Sequence, residues 1–166
     1  MRELGQRIMI IGSGGSGKSV LAARLGRALD LPAFYLDAER GELDQAAWLL
    51  RMQQLADGDR WIMDGNMGIA NMDGRMARAT SIIFLDYTRR LCLWRGLRRN
   101  IAQQFTRRHR EDGCPARPDW TFIRFVWRFP NVQRPQILAK LMVYPDKAII
   151  LKNPGETEEV LFCPFQ

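Results

Sequence analysis

The run Gly12-Ser13-Gly14-Gly15-Ser16-Gly17-Lys18-Ser19 constrains this chain more than any other stretch, because it stands between an apolar segment and a helical pattern. Ile8-Met9-Ile10-Ile11 reads as a buried parallel strand, and Leu21, Leu25 and Leu29 recur at helical spacing just beyond. Glycines let a backbone adopt positive φ and approach an anion closely, so successive amides and the helix N-terminus converge on phosphate groups. Gly12 to Ser19, with Val20 behind them, are therefore the expected nucleotide-binding residues. Lys18 is placed to reach the β and γ phosphates, and the Ser19 hydroxyl to ligate Mg2+.

Beyond the loop the chain repeats one plan. Ala33-Phe34-Tyr35-Leu36 ends in Asp37, Trp61-Ile62-Met63 ends in Asp64, and Ser81-Ile82-Ile83-Phe84-Leu85 ends in Asp86. Each is a short apolar strand delivering an acid, and helical patterns lie between them. That alternation predicts an α/β fold, a five-stranded parallel sheet with helices on both faces, whose ligands collect at the strand C-termini. The fifth strand is Ala148-Ile149-Ile150-Leu151, with a short acidic helix after it around Glu156 to Leu161. A chain of 166 residues suits one such domain and is too short for two.

Among the helices, one is expected from Asp44, a good N-cap, to Ala56, with Ala47, Leu50 and Leu55 on its apolar face. A short one spans Asn71 to Ala79 and carries Arg75 and Arg78. Another starts at a Thr88 cap and runs to Phe105, with Leu93, Leu97, Ile101 and Phe105 as the buried stripe. An aromatic helix from Asp119 to Phe129 is ended by Pro130, and Pro135 begins a further helix to Tyr144. Residues 106–118, rich in Gly, Pro and Arg, read as a loop and the candidate lid.

Charge singles out the same part of the chain. Of a net +7, the segment Arg89 to Arg134 contributes +9, from twelve arginines, no lysine and three acids. Arginine without lysine favours bidentate phosphate recognition, and the concentrated field attracts nucleotide phosphates or a nucleic-acid backbone. Three irregularly spaced cysteines, Cys92, Cys114 and Cys163, argue for free thiols in a reducing compartment. With no signal-peptide plan and no apolar run near the roughly 18 residues that span a bilayer, a cytoplasmic location is expected.

Asp86, closing its strand beside the loop, is the expected Mg2+ ligand with Ser19. Asp37 and Asp64 open onto the same cleft as Lys18; one would bind Mg2+ through water and the other orient or deprotonate an acceptor hydroxyl. Arg95, Arg99 and the lid arginines Arg107 and Arg108 are suited to neutralise a phosphoryl group in transfer. These residues point to an ATP-dependent, Mg2+-using phosphotransferase acting on a nucleotide or small-molecule acceptor, as a monomer or homodimer. The alternative is a nucleotide-switched DNA- or RNA-binding protein that uses the basic segment.

Taken together, Gly12 to Ser19, Tyr35-Leu36-Asp37, Trp61 to Asn66, Phe84-Leu85-Asp86, Arg95 with Arg99, and Gly113-Cys114-Pro115 before an aromatic helix resemble the DNA topology modulation protein family. That family is grouped with the adenylate-kinase-like P-loop kinases. The resemblance implies a kinase core with an acceptor-side helical region over about residues 38–58 and an arginine-bearing lid, and it puts Asp64 near Mg2+ and the acceptor phosphate. Asn66-Met67-Gly68 stands where adenylate kinases have Phe-Pro-Arg. The arginine that clasps a nucleoside monophosphate is missing there, which leaves Arg75 or Arg78 to replace it.

Overall fold

The computed structural model describes residues 4–39, 44–105 and 120–162. Five strands, β1 (Arg7–Gly12), β2 (Ala33–Tyr35), β3 (Trp61–Asp64), β4 (Ser81–Leu85) and β5 (Ala148–Leu151), form one parallel sheet in the order β2-β3-β1-β4-β5. The central strands are apolar at successive positions because helices cover both faces, as buried parallel strands require. Ile8, Met9, Ile10, Ile11, Ile62, Met63, Ile82, Ile83 and Phe84 have no solvent exposure. Chain order reverses on either side of β1, so a crevice opens beyond its C-terminal end, with β3 and β4 as its walls.

One face packs α3 (Gln45–Ala56), α4 (Asp73–Arg78) and α6 (Trp120–Leu141) around Trp48, Trp61, Met76 and Phe129. The other carries α1 (Lys18–Leu29), α5 (Arg89–Phe105) and α7 (Pro154–Phe162) around Leu21, Leu25, Cys92 and Tyr87. A single turn, α2 (Leu36–Glu39), comes directly after β2. Large side chains dominate both clusters, each stabilising the fold by about 1.5–3 kcal/mol when fully buried. No helix among the described residues is long and apolar enough to cross a membrane.

Three helix expectations change. Asp44 does cap α3, accepting from the Ala47 amide at 2.8 Å, but Trp48, Met52 and Ala56 form its buried face while Leu50 is 59% exposed. In α5 the fully buried positions are Cys92 and Gly96; Leu93 of the expected stripe is half-buried against the same cluster, and Leu97 is 46% exposed. A glycine there admits the Phe122 ring, and that close approach outweighs the leucine spacing that pointed one position further on. The third change is that the aromatic segment and its successor are one helix, α6, with Pro130 and Pro135 inside it. Each proline removes an intrahelical bond at a cost of about 3 kcal/mol, which the burial of Val126 in one core cluster and of Phe129, Ile137 and Leu141 in the other offsets.

Candidate nucleotide site

β1 ends at Gly12, and the loop after it turns into α1 through Gly17, whose left-handed φ of 95° only glycine adopts without strain. No side chain caps α1, so its first amides stay available for an anion, favoured there by the helix dipole. The loop folds around its own Ser13 carbonyl, which accepts from Lys18 Nζ at 3.0 Å and Ser16 Oγ at 2.8 Å. Arg95 of α5 donates to Ser16 O at 3.3 Å and stacks 5.5 Å from the Tyr87 ring. The loop rests on α5: a Cβ at Gly15 would lie 2.3 Å from the Cys92 carbonyl oxygen.

The acid that meets Ser19 comes from β3. Ser19 Oγ donates to Asp64 Oδ2 at 2.5 Å, while Asp64 Oδ1 is buried without a partner among the described residues. Burial raises the Asp64 carboxyl above its ordinary value, opposed by Lys18 and the Ser19 hydroxyl and reinforced by the neighbouring charge of Asp37. A buried carboxylate with one free oxygen beside a hydroxyl is the donor pair a hard divalent cation takes. Asp86 is engaged elsewhere: both its oxygens accept from Arg134 of α6, at 2.7 and 2.8 Å. Asp86, the expected Mg2+ ligand with Ser19, thus has both oxygens on Arg134, and the acid in contact with Ser19 is Asp64 of β3.

Asp37 is exposed at the cleft, beside Gly65. The cleft has a volume of about 1010 Å³, and besides Gly12 and the Gly14 to Val20 stretch its walls include Asp37, Asn66, Arg95, Arg99, Phe122 and Gln133. Lys18, Ser19, Asp37, Arg95 and Arg99 are therefore brought together; Val20 lies at the rim, 64% exposed. Arg107 and Arg108, with the rest of the expected lid, lie outside the described residues.

Neither stand-in for the acceptor-clasping arginine is free. Arg75 is 3% exposed and donates to the carbonyls of Gly65 and Asn66 at 2.9 and 2.8 Å; burial lowers its guanidinium to about 10. Arg78 is paired with Asp57 at 2.5 Å. Sequence reasoning also missed the Asn66 side chain, whose amide bonds Gly12 in both directions: Gly12 N donates to Oδ1 at 3.0 Å and Nδ2 donates to Gly12 O at 2.9 Å. No spacing signals that pair. Gly96 was detectable, since an isolated glycine inside a helical pattern usually has a packing reason. At the far end of the cleft, Asn153 and Glu156 cap α7 reciprocally, and Glu158 holds Arg24 through two bonds of 2.5 and 2.7 Å.

With this geometry, solved structures superpose over nearly the whole chain. A shikimate kinase from Acinetobacter baumannii matches with a TM-score of 0.60 at 14% identity, covering 96% of this chain and 90% of its own. A gluconokinase from Sinorhizobium meliloti gives 0.55 at 13%, covering 98% and 90%. A sugar kinase from Janibacter gives 0.53 at 17%, covering 96% of each chain. The chain has the fold of the P-loop kinases. No protein-family model and no curated protein matches the sequence.

Proposed function

We propose that the chain is an ATP-dependent phosphotransferase acting on a small acceptor at the end of the cleft opposite α7. The observation that carries this reading is the Ser19–Asp64 pair with its unpartnered carboxylate oxygen, set beside Lys18 and the open N-terminus of α1. In this reading the loop amides and Lys18 hold the β and γ phosphates of ATP, Lys18 leaving the Ser13 carbonyl to do so. Ser19 and Asp64 would hold Mg2+, which offsets phosphate charge when bound.

Each remaining residue has a role set by its place. Arg95 stands over the loop, where its fixed charge stabilises the phosphoryl group as it leaves the donor. Asp37, exposed on the acceptor wall, accepts the proton of the attacking hydroxyl, as general base. Arg99 and a lid over residues 106–118, with Arg107 and Arg108, would close the cleft and exclude water as a competing acceptor. The kinase-family resemblance, including that to topology modulation proteins, rests on the sequence motifs and adds the expectation of a single domain with such a lid. No observation favours the nucleic-acid alternative: Arg89 and Arg98 lie over Trp127 and Trp94, and Arg134 is paired with Asp86.

The test is ATP consumption across nucleosides, nucleoside monophosphates and small polyols, comparing wild type with Lys18→Ala. Loss of turnover and of ATP binding at an unchanged melting temperature is expected. Turnover retained in the variant would sink the assignment.

A further inference from the structure

The turn between β3 and α4 is built in an unusual way. Three successive carbonyls, of Gly65, Asn66 and Met67, are all taken by side chains from the next segment of the chain: Arg75 donates to the first two at 2.9 and 2.8 Å, and Asn71 Nδ2 to the third at 3.1 Å. The turn also holds left-handed backbone at Met67, with φ 50°, and at Gly68, with φ 78°. A non-glycine residue keeps such a conformation only where its surroundings over-determine it. Here the surroundings are Arg75 and Asn71.

Arg75 is nearly fully buried, yet among the described residues its hydrogen bonds go to neutral carbonyls and not to a carboxylate. Burying a cation that way is costly, so a merely space-filling role would be served better by an apolar side chain. What the arrangement achieves lies on the other side of the turn. With its carbonyl held by Arg75, Asn66 directs its amide at Gly12, the last residue of β1, and bonds both its N–H and its C=O.

We propose that Arg75 is a positioning residue for the phosphate loop, acting through Asn66: it locks the turn after β3, and the locked Asn66 clamps Gly12. The start of the phosphate loop is thereby set from α4, through the turn that begins at Gly65, directly after Asp64. This extends the phosphotransferase reading and depends on it only for the choice of ATP as a probe.

A double-mutant cycle tests it, with ATP affinity by titration calorimetry and Gly12 amide exchange by NMR. Arg75→Met and Asn66→Ala should each weaken ATP by about tenfold, the effect of one to two net hydrogen bonds. The double variant should be no weaker than Asn66→Ala alone, and the Gly12 amide should exchange faster in all three. Lys140→Met, which removes the ion pair tying α6 to Asp73 on α4, controls for loosened helix packing: a lower melting temperature with wild-type ATP affinity and Gly12 exchange. If Arg75→Met does not fold, Arg75→Lys, able to reach one carbonyl, should give intermediate Gly12 exchange. Independent effects, about a hundredfold in the double variant, or unchanged Gly12 exchange in whichever Arg75 variant folds, overturn the proposal. A wild-type chain that binds no ATP refutes the phosphotransferase reading, while Gly12 exchange still decides this one.

Discussion

Gly14 and Gly15 stand side by side at positions where the phosphate-loop pattern accepts any residue, yet replacing each by alanine should have unequal consequences. At Gly15 the φ is +76°, and a new Cβ would lie 2.3 Å from the Cys92 carbonyl oxygen and 3.1 Å from its carbon. Both are backbone atoms of α5, so relief requires the helix to lift from the loop. The left-handed conformation costs an alanine about 1–2 kcal/mol and the forced overlap about 1–3 more. The total, about 2–5 kcal/mol, corresponds to a fall in melting temperature of roughly 4–20 °C for a domain of this size. At Gly14 the nearest atom is Cε2 of the Phe122 ring at 2.7 Å, and a half-buried ring can shift, so Gly14→Ala should cost under about 1.5 kcal/mol. Thermal melts of the two variants beside wild type, with pyrophosphate binding as a second readout, make the comparison. Equal stability of the two would refute the conclusion that α5 is seated directly on the loop at Gly15.

Two further predictions separate the acids of the site. Burial holds the Asp64 carboxyl above its ordinary 3.8, so its contribution to stability is fully present below that value and is lost as pH rises through the higher folded one. Melting temperatures of the ligand-free protein should show this descending component, and Asp64→Asn should remove it together with Mg2+-dependent ATP binding; an unchanged pH profile in the variant would contradict the burial argument. Asp86→Asn should instead cost about 1–2 kcal/mol by breaking the two-bond contact to a partly exposed Arg134, with Mg2+-dependent ATP binding retained. Loss of that binding at full stability would return Asp86 to the metal.

The sequence by itself determined the parts of this protein whose physics is local. A glycine-rich loop before a helix presents amides to an anion wherever it occurs, and apolar strands ending in aspartate announce a parallel sheet with its ligands at the strand ends. Hence the five strands, the cleft and the meeting of Lys18, Ser19, Asp37 and Arg95 were all legible in the order of residues. Strand adjacency was not. Asp64 and Asp86 are alike as sequence, and only the order β2-β3-β1-β4-β5, with the partners each acid then meets, assigns Ser19 to one and Arg134 to the other. Helix faces are decided the same way: in α5 the close approach of Phe122 makes Gly96 the inward position and leaves Leu97 exposed, and Pro130 and Pro135, a helix stop and a helix start by local rules, stand inside α6 because its packing on both core clusters outweighs them. Arg75 illustrates the general reason. The resemblance to adenylate kinases offers it as the stand-in for a phosphate-clasping arginine, but a guanidinium's partners are chosen by what the fold brings within 3 Å, and for Arg75 those are the carbonyls of Gly65 and Asn66.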